Sequence, residues 1–202
     1  MFQVYSKTTW NDYFEGTVSP NLNSQTFSSK QTLSGTNVYV SSYVFSSITS
    51  SSNGGALSCT SVSYFLVESS SFFTCKTSVD YGGAIFFDNT GSGQSVLHKV
   101  CGYDCCSTYT STSYGQFVCI NVKNAVSSKN YVNYSSISRC VNEKSSSRDT
   151  LYLRYGKIYC PSINSSMNEC QWYSGISSHP FTDSNSFTCS LSHSTFADNI
   201  AN

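Results

Sequence analysis

The chain has 202 residues, 11 Lys plus Arg against 11 Asp plus Glu, and a hydrophobic share of 39 %. That size supports one domain with a core, and an aromatic share of 15 % beside 11 % charged residues is the reverse of a disordered composition. The balanced charge, with no basic block, gives no footprint for nucleic acid or an anionic membrane, and no apolar run approaches the ~18 residues that span a bilayer.

Residues 1–37 carry Trp10, Tyr13, Phe14, Pro20, Leu22 and Phe27 in a polar background. Without a helical stripe, they read as an N-terminal cap or an incomplete first coil, because a solenoid must cover the apolar end of its core. The first ten residues lack the apolar centre of a secretory signal.

From residue 38 to residue 202 a repeat sets in. An apolar marker is followed three residues later by a second fixed position: Phe45 and Ile48, Phe72 and Cys75, Tyr103 and Cys106, Ile137 and Cys140, Met167 and Cys170, Phe196 and Asn199. The markers lie 27, 31, 34, 30 and 29 residues apart, a period that signals a repeat architecture. Each period holds three short patches rich in Val, Phe, Tyr and Ile between Ser, Gly and Asn, which read as strands. The third patch covers residues 56–59, 84–87, 117–120 and 151–153, with only Phe181 left of it in the fifth coil. Strands that recur in one chain direction every ~30 residues stack as parallel sheets ~4.8 Å apart. The expected fold is all-β: a right-handed, single-stranded parallel β-helix of the pectate-lyase-like kind, with three strands per coil and about six coils. Its 44 Ser, 18 Thr and 16 Asn suit turns and outer strand faces. Gly54-Gly55 and Gly82-Gly83 fit corners that need positive φ or close backbone approach.

Gly54-Gly55-Ala56-Leu57 and Gly82-Gly83-Ala84-Ile85, alternating with Phe196-Ala197-Asp198-Asn199, resemble the Gly-Gly-Ala-Ile and Phe-x-x-Asn repeat of polymorphic outer membrane proteins of chlamydiae. Related repeats occur in surface proteins of parasitic protists. The resemblance spans residues 38–202 and implies a β-helical stalk at a cell surface with an adhesive or antigenic role and a protein or glycan partner. Cys stands for the motif's Asn in four of the assigned coils and Ile48 in one, and the last coil stops before its Gly-Gly-Ala segment, so a fragment of a longer solenoid is expected.

Two columns are candidates for chemistry. Cys75, Cys106, Cys140 and Cys170 should stack one per coil. Four sulfurs along ~14 Å cannot surround one tetrahedral zinc, so packed free thiols replacing an asparagine ladder are expected, with no metal and no cofactor. Cys101, Cys105 and Cys106 have only His98 nearby, too little for a metal site. Two residues after the markers come Ser47, Thr74, Cys105, Arg139, Glu169 and Asp198. Glu169 and Asp198 on neighbouring coils would set carboxyls ~5 Å apart, as in a retaining glycosidase, with Arg139 beside them. The other reading of that column is a surface charge ladder. Asn133-Tyr134-Ser135 and Asn164-Ser165-Ser166 are glycosylation sequons. The sequence therefore favours a non-catalytic surface or interaction module. The alternative is a polysaccharide lyase or glycoside hydrolase acting on acidic polysaccharide through Glu169, Asp198 and Arg139. Compartment and oligomeric state stay open.

Overall fold

A computed structural model describes residues 10–23, 25–109, 112–140 and 146–201. Residues 1–9 of the expected cap and Asn202 lie outside the described residues. The chain is an all-β parallel solenoid built on three long sheets of seven, seven and six strands. The first sheet contains Asn37–Ser41, Tyr64–Glu68, Gln94–His98, Lys129–Asn133, Lys157–Pro161 and Cys189–Ser192. The second contains Val44–Ser46, Ser71–Phe73, Cys101–Tyr103, Ser136–Ser138, Asn164–Ser166 and Thr195–Ala197. The third runs through Leu57–Thr60, Ile85–Asp88, Val118–Asn121, Asp149–Arg154 and Tyr173–His179. Leu22–Asn23, Thr26–Phe27 and Gln31–Leu33 add a first rung, one strand to each sheet.

Period-2 alternation fills the interior. In Ile85–Asp88, Ile85 and Phe87 point inward and are fully buried, while Asp88 on the opposite face is partly exposed. Equivalent residues stack from rung to rung, the Phe45 and Phe72 rings lying 4.7 Å apart and 4° from parallel, and rings of different sheets stack across the core, Phe65 of the first on Phe87 of the third at 5.2 Å. The paired glycines divide the two expected roles. Gly54 and Gly82 have φ of +74° and +63°, whereas a Cβ on Gly55 or Gly83 would lie 2.0 or 2.1 Å from a carbonyl oxygen of the next coil.

Two corners bend by left-handed residues that are not glycine. Ser42, Ser69, Lys99, Tyr134, Ser162 and His193 occupy one, and Ser47, Thr74, Asp104, Arg139, Met167 and Asp198 the other, all with φ between 47° and 60°. Such residues are each mildly strained, and the register repeats that conformation at every rung.

The observed register differs from the expected one in the third and fifth coils. Phe45, Phe72, Gly102, Ile137, Ser165 and Phe196 share the inward marker slot, so Tyr103 is one residue and Met167 two residues away from it. At Gly102 the reason is volume. Phe117 replaces the alanine of Ala56 and Ala84, and a Cβ on Gly102 would lie 2.5 Å from its ring. The large side chain has moved from one sheet to another, and the core stays full. The fifth coil also keeps a complete third strand, Tyr173–His179, with Ile176 paired to Leu151; Phe181 lies beyond it.

The position after the second corner is therefore Ile48, Cys75, Cys105, Cys140, Asn168 and Asn199, not a column through Cys106 and Cys170. Cys106 pairs with Lys76 and Cys170 with Ala201. Hydrogen bonds link Cys75 to Cys105, and Cys140 through Asn168 to Asn199. The amide of Cys75 donates to Cys105 Sγ (3.4 Å), that of Cys140 to Asn168 Oδ1 (2.9 Å), and that of Asn168 to Asn199 Oδ1 (3.0 Å). The side chains also donate back to the preceding coil: Cys105 Sγ to the Phe72 carbonyl (3.4 Å), Asn168 Nδ2 to Ile137 (3.2 Å), and Asn199 Nδ2 to Ser165 (2.9 Å). Cysteine thus does the asparagine's work, satisfying backbone groups that the corner would leave buried and unpaired.

Candidate functional site

The expected charged column does not form. Arg139 and Asp198 share a corner column, but Met167 lies between them, and Glu169 sits two residues further along, paired with Ile200. The Arg139 guanidinium instead lies 5.7 Å from the Tyr103 ring. Glu169, Asp198 and Arg139 therefore do not occupy successive positions of one column, because the slot after Ile137 is filled by Ser165 rather than Met167. Of the two sequons, Asn133 is buried with Nδ2 donating to Tyr13 Oη (3.3 Å), whereas Asn164 is exposed.

The outer face of the first sheet is covered from its own N-terminal side. Trp10–Asp12 forms a short 3-10 turn, and Trp10 and Phe14 pack on Tyr39, Leu66 and Val96, the outward residues of three successive rungs. Beneath lies a polar column of Glu68, His98 and Asn133, all buried. Tyr39 Oη and Ser41 Oγ donate to Glu68 Oε1, and Tyr13 Oη lies 2.8 Å from His98 Nδ1. Burial, with Lys99 adding to it, pushes His98 down to about 4, and burial with the Glu68 hydrogen bond raises Tyr39. This column is buried under the segment.

The outer face of the third sheet has a different character, with Phe86 and Cys119 themselves buried and Tyr81, Tyr114 and Tyr152 half-buried. Strand alternation turns Phe86, Cys119 and Tyr152 outward in one column and Asp88, Asn121, Arg154 and His179 in the next. Tyr81 and Tyr114, paired across the preceding corner, add rings in front of these strands. The result is a row of aromatic side chains. Phe86 to Tyr81, Tyr81 to Tyr114, Tyr114 to Tyr152 and Tyr152 to His179 have centroids 5.9, 5.8, 4.9 and 5.4 Å apart.

Two adjoining hollows flank the row. One, of about 340 Å³, is lined by Tyr81, Phe86, Asp88, Asn121, Tyr152 and Arg154, among others. The other, of about 690 Å³, adds Tyr155, His179 and Thr182, and shares Tyr114, Tyr152 and Arg154 with the first. Arg148 braces the row: its guanidinium lies 5.1 Å from the Tyr114 ring and 4.6 Å from Trp172, and Nη1 donates to Tyr114 Oη at 3.0 Å. Burial raises Asp149, behind this face, to about 6. No family model, curated protein or solved structure matches this chain.

Periodicity could not have found this face. Tyr81, Tyr114 and Tyr152 fall at different distances from their markers, and only the pairing of the corners aligns their rings. For two of them the legible signal is a tyrosine just before a Gly, in Tyr81-Gly82 and Tyr114-Gly115, and Tyr152, followed by Leu153, lacks it. Among the described residues no group of three or more His, Cys, Asp or Glu could hold a metal, and no helix is long and apolar enough to cross a membrane.

Proposed function

We propose that this chain is a non-catalytic binding module whose third-sheet face docks a glycan chain. The observation that supports this reading is the row of outward aromatic rings set beside a polar column at one-rung spacing. Phe86, Tyr81 and Tyr114 stack on one another, so Tyr81, Tyr114 and Tyr152 present apolar ring edges and hydroxyls to a sugar chain, while Asp88, Asn121 and Arg154 supply further hydrogen bonds beside them. The solenoid contributes length, since a parallel stack presents the same kind of surface at each ~4.8 Å step. The resemblance of the Gly-Gly-Ala and Phe-x-x-Asn motifs to surface-protein repeats makes a cell-surface adhesive role part of the proposal.

Affinity electrophoresis and calorimetry against a panel of soluble polysaccharides test it, with chain length recorded before and after. Tyr152→Ala should weaken retention about tenfold, which corresponds to ~1.4 kcal/mol, with no shortening of the polysaccharide. Retention unchanged in Tyr152→Ala, or progressive shortening of the chain, would overturn the reading.

A further inference from the structure

The two hollows on the third sheet differ in charge. Arg154 lines both, but Asp88 lines only the smaller one, and no carboxylate lines the larger. By register Asp88 and Arg154 belong to one column with Asn121 between them, so they stand two rungs, ~9.6 Å, apart. Arg154 is exposed, lies 4.4 Å over the Tyr155 ring, and makes no ion pair among the described residues. The contact with the Tyr155 ring positions the exposed guanidinium, a group whose forked donors suit planar, two-point recognition of a carboxylate. Tyr152 forms the floor beside it, and His179, whose ring nitrogen lies 3.2 Å from Ser177 Oγ, closes the far side.

Building on the glycan-binding reading, we propose that the ligand is an acidic polysaccharide, a chain of uronic acid units lying across the rungs. One sugar carboxylate pairs with Arg154 in the larger hollow, and the neighbouring unit turns its hydroxyls to Asp88 and Asn121 in the smaller one. Asp88 excludes a second carboxylate at that end through like-charge repulsion, so the face discriminates by position as well as by charge. The ring row under the chain is indifferent to charge, and Arg154 supplies the preference.

The test is calorimetric titration with a hexamer of galacturonic acid and with the neutral hexamers maltohexaose and cellohexaose, using wild type, Arg154→Gln, Arg154→Lys and Tyr152→Ala. Circular dichroism and thermal melting of each variant check that the fold is intact. The wild type should prefer the acidic hexamer at least about tenfold, equivalent to ~1.4 kcal/mol, and the preference should shrink with added salt. Arg154→Gln should abolish the preference, bringing the affinity for the acidic hexamer down to that for the neutral ones, and Arg154→Lys should restore part. Equal affinity for acidic and neutral hexamers, lost in Tyr152→Ala, would overturn the acidic class and leave the binding face standing. Absence of binding to all three would overturn both.

Discussion

Asn168→Ala is the sharpest test of how the solenoid holds its corner. The side chain is fully buried. Its Oδ1 accepts the Cys140 amide at 2.9 Å, and its Nδ2 reaches the Ile137 carbonyl at 3.2 Å and both Ser165 Oγ and Asn199 Oδ1 at 3.0 Å. Alanine removes all of these while the backbone stays packed. Two main-chain groups, the Cys140 N–H and the Ile137 carbonyl, lose their ladder partner at ~1–3 kcal/mol each, so about 4 kcal/mol of destabilisation is expected. Asn168→Cys should recover roughly half of that, because Cys105 already accepts the Cys75 amide and donates to the Phe72 carbonyl with a thiol. Urea unfolding gives the stability difference. Amide hydrogen exchange at Cys140 localises it, since that proton should lose protection in Asn168→Ala first. A cost below ~1 kcal/mol for alanine would refute the ladder as a determinant of stability. Equal costs for alanine and cysteine would refute the equivalence of thiol and amide.

Two further outcomes follow from burial. Cys101 and Cys189 are exposed and the other eight cysteines are buried, all ten free; burial pushes Cys59, Cys160 and Cys170 up to about 12 and Cys106 to about 11, and raises Cys119 and Cys140. A thiol reagent should therefore modify two residues rapidly in the native protein and ten after denaturation without reductant, and paired thiols in the denatured count would contradict the ladder. His98 is held at about 4, below its ordinary 6.5, so the unfolded chain binds the extra proton between those values. Its contribution is complete above 6.5 and falls as pH drops toward 4, by a ceiling of ~3 kcal/mol at ~1.4 kcal/mol per unit and roughly 1–2 after screening. Asp149, raised to about 6 by burial, acts in the opposite direction as pH rises, so the comparison is between variants. His98→Gln should flatten the acid limb of a melting-temperature profile, and an unchanged limb would show that the Tyr13–His98 contact does not govern it.

The architecture was legible because each coil repeats a local pattern. Period-2 alternation between small polar turn residues specifies short strands, a constant period stacks them in parallel, and the paired glycines mark a corner where backbone approaches backbone. Those signals are all within one coil. The slots were misread where the compensation is between coils: Gly102 occupies an inward position only because Phe117 fills the same space from the third sheet, and Ser165 occupies another because Asn168 bonds to its hydroxyl. Pattern matching that demanded an apolar marker moved to Tyr103 and Met167, took Cys106 and Cys170 for ladder residues, and missed Asn168. The supposed Arg139, Glu169 and Asp198 column came from the same slip.

The sequence by itself thus determined the class of fold, its period and its three-sided coil, since these depend on local alternation and turn chemistry. Only the tertiary structure decided the register, the thiol and amide ladder, the segment of Trp10 and Phe14 lying over the first sheet, and the row of Tyr81, Tyr114 and Tyr152. Each of those depends on residues ~30 or more apart meeting across a 4.8 Å step, where volume and hydrogen-bond satisfaction, rather than local pattern, choose the partner.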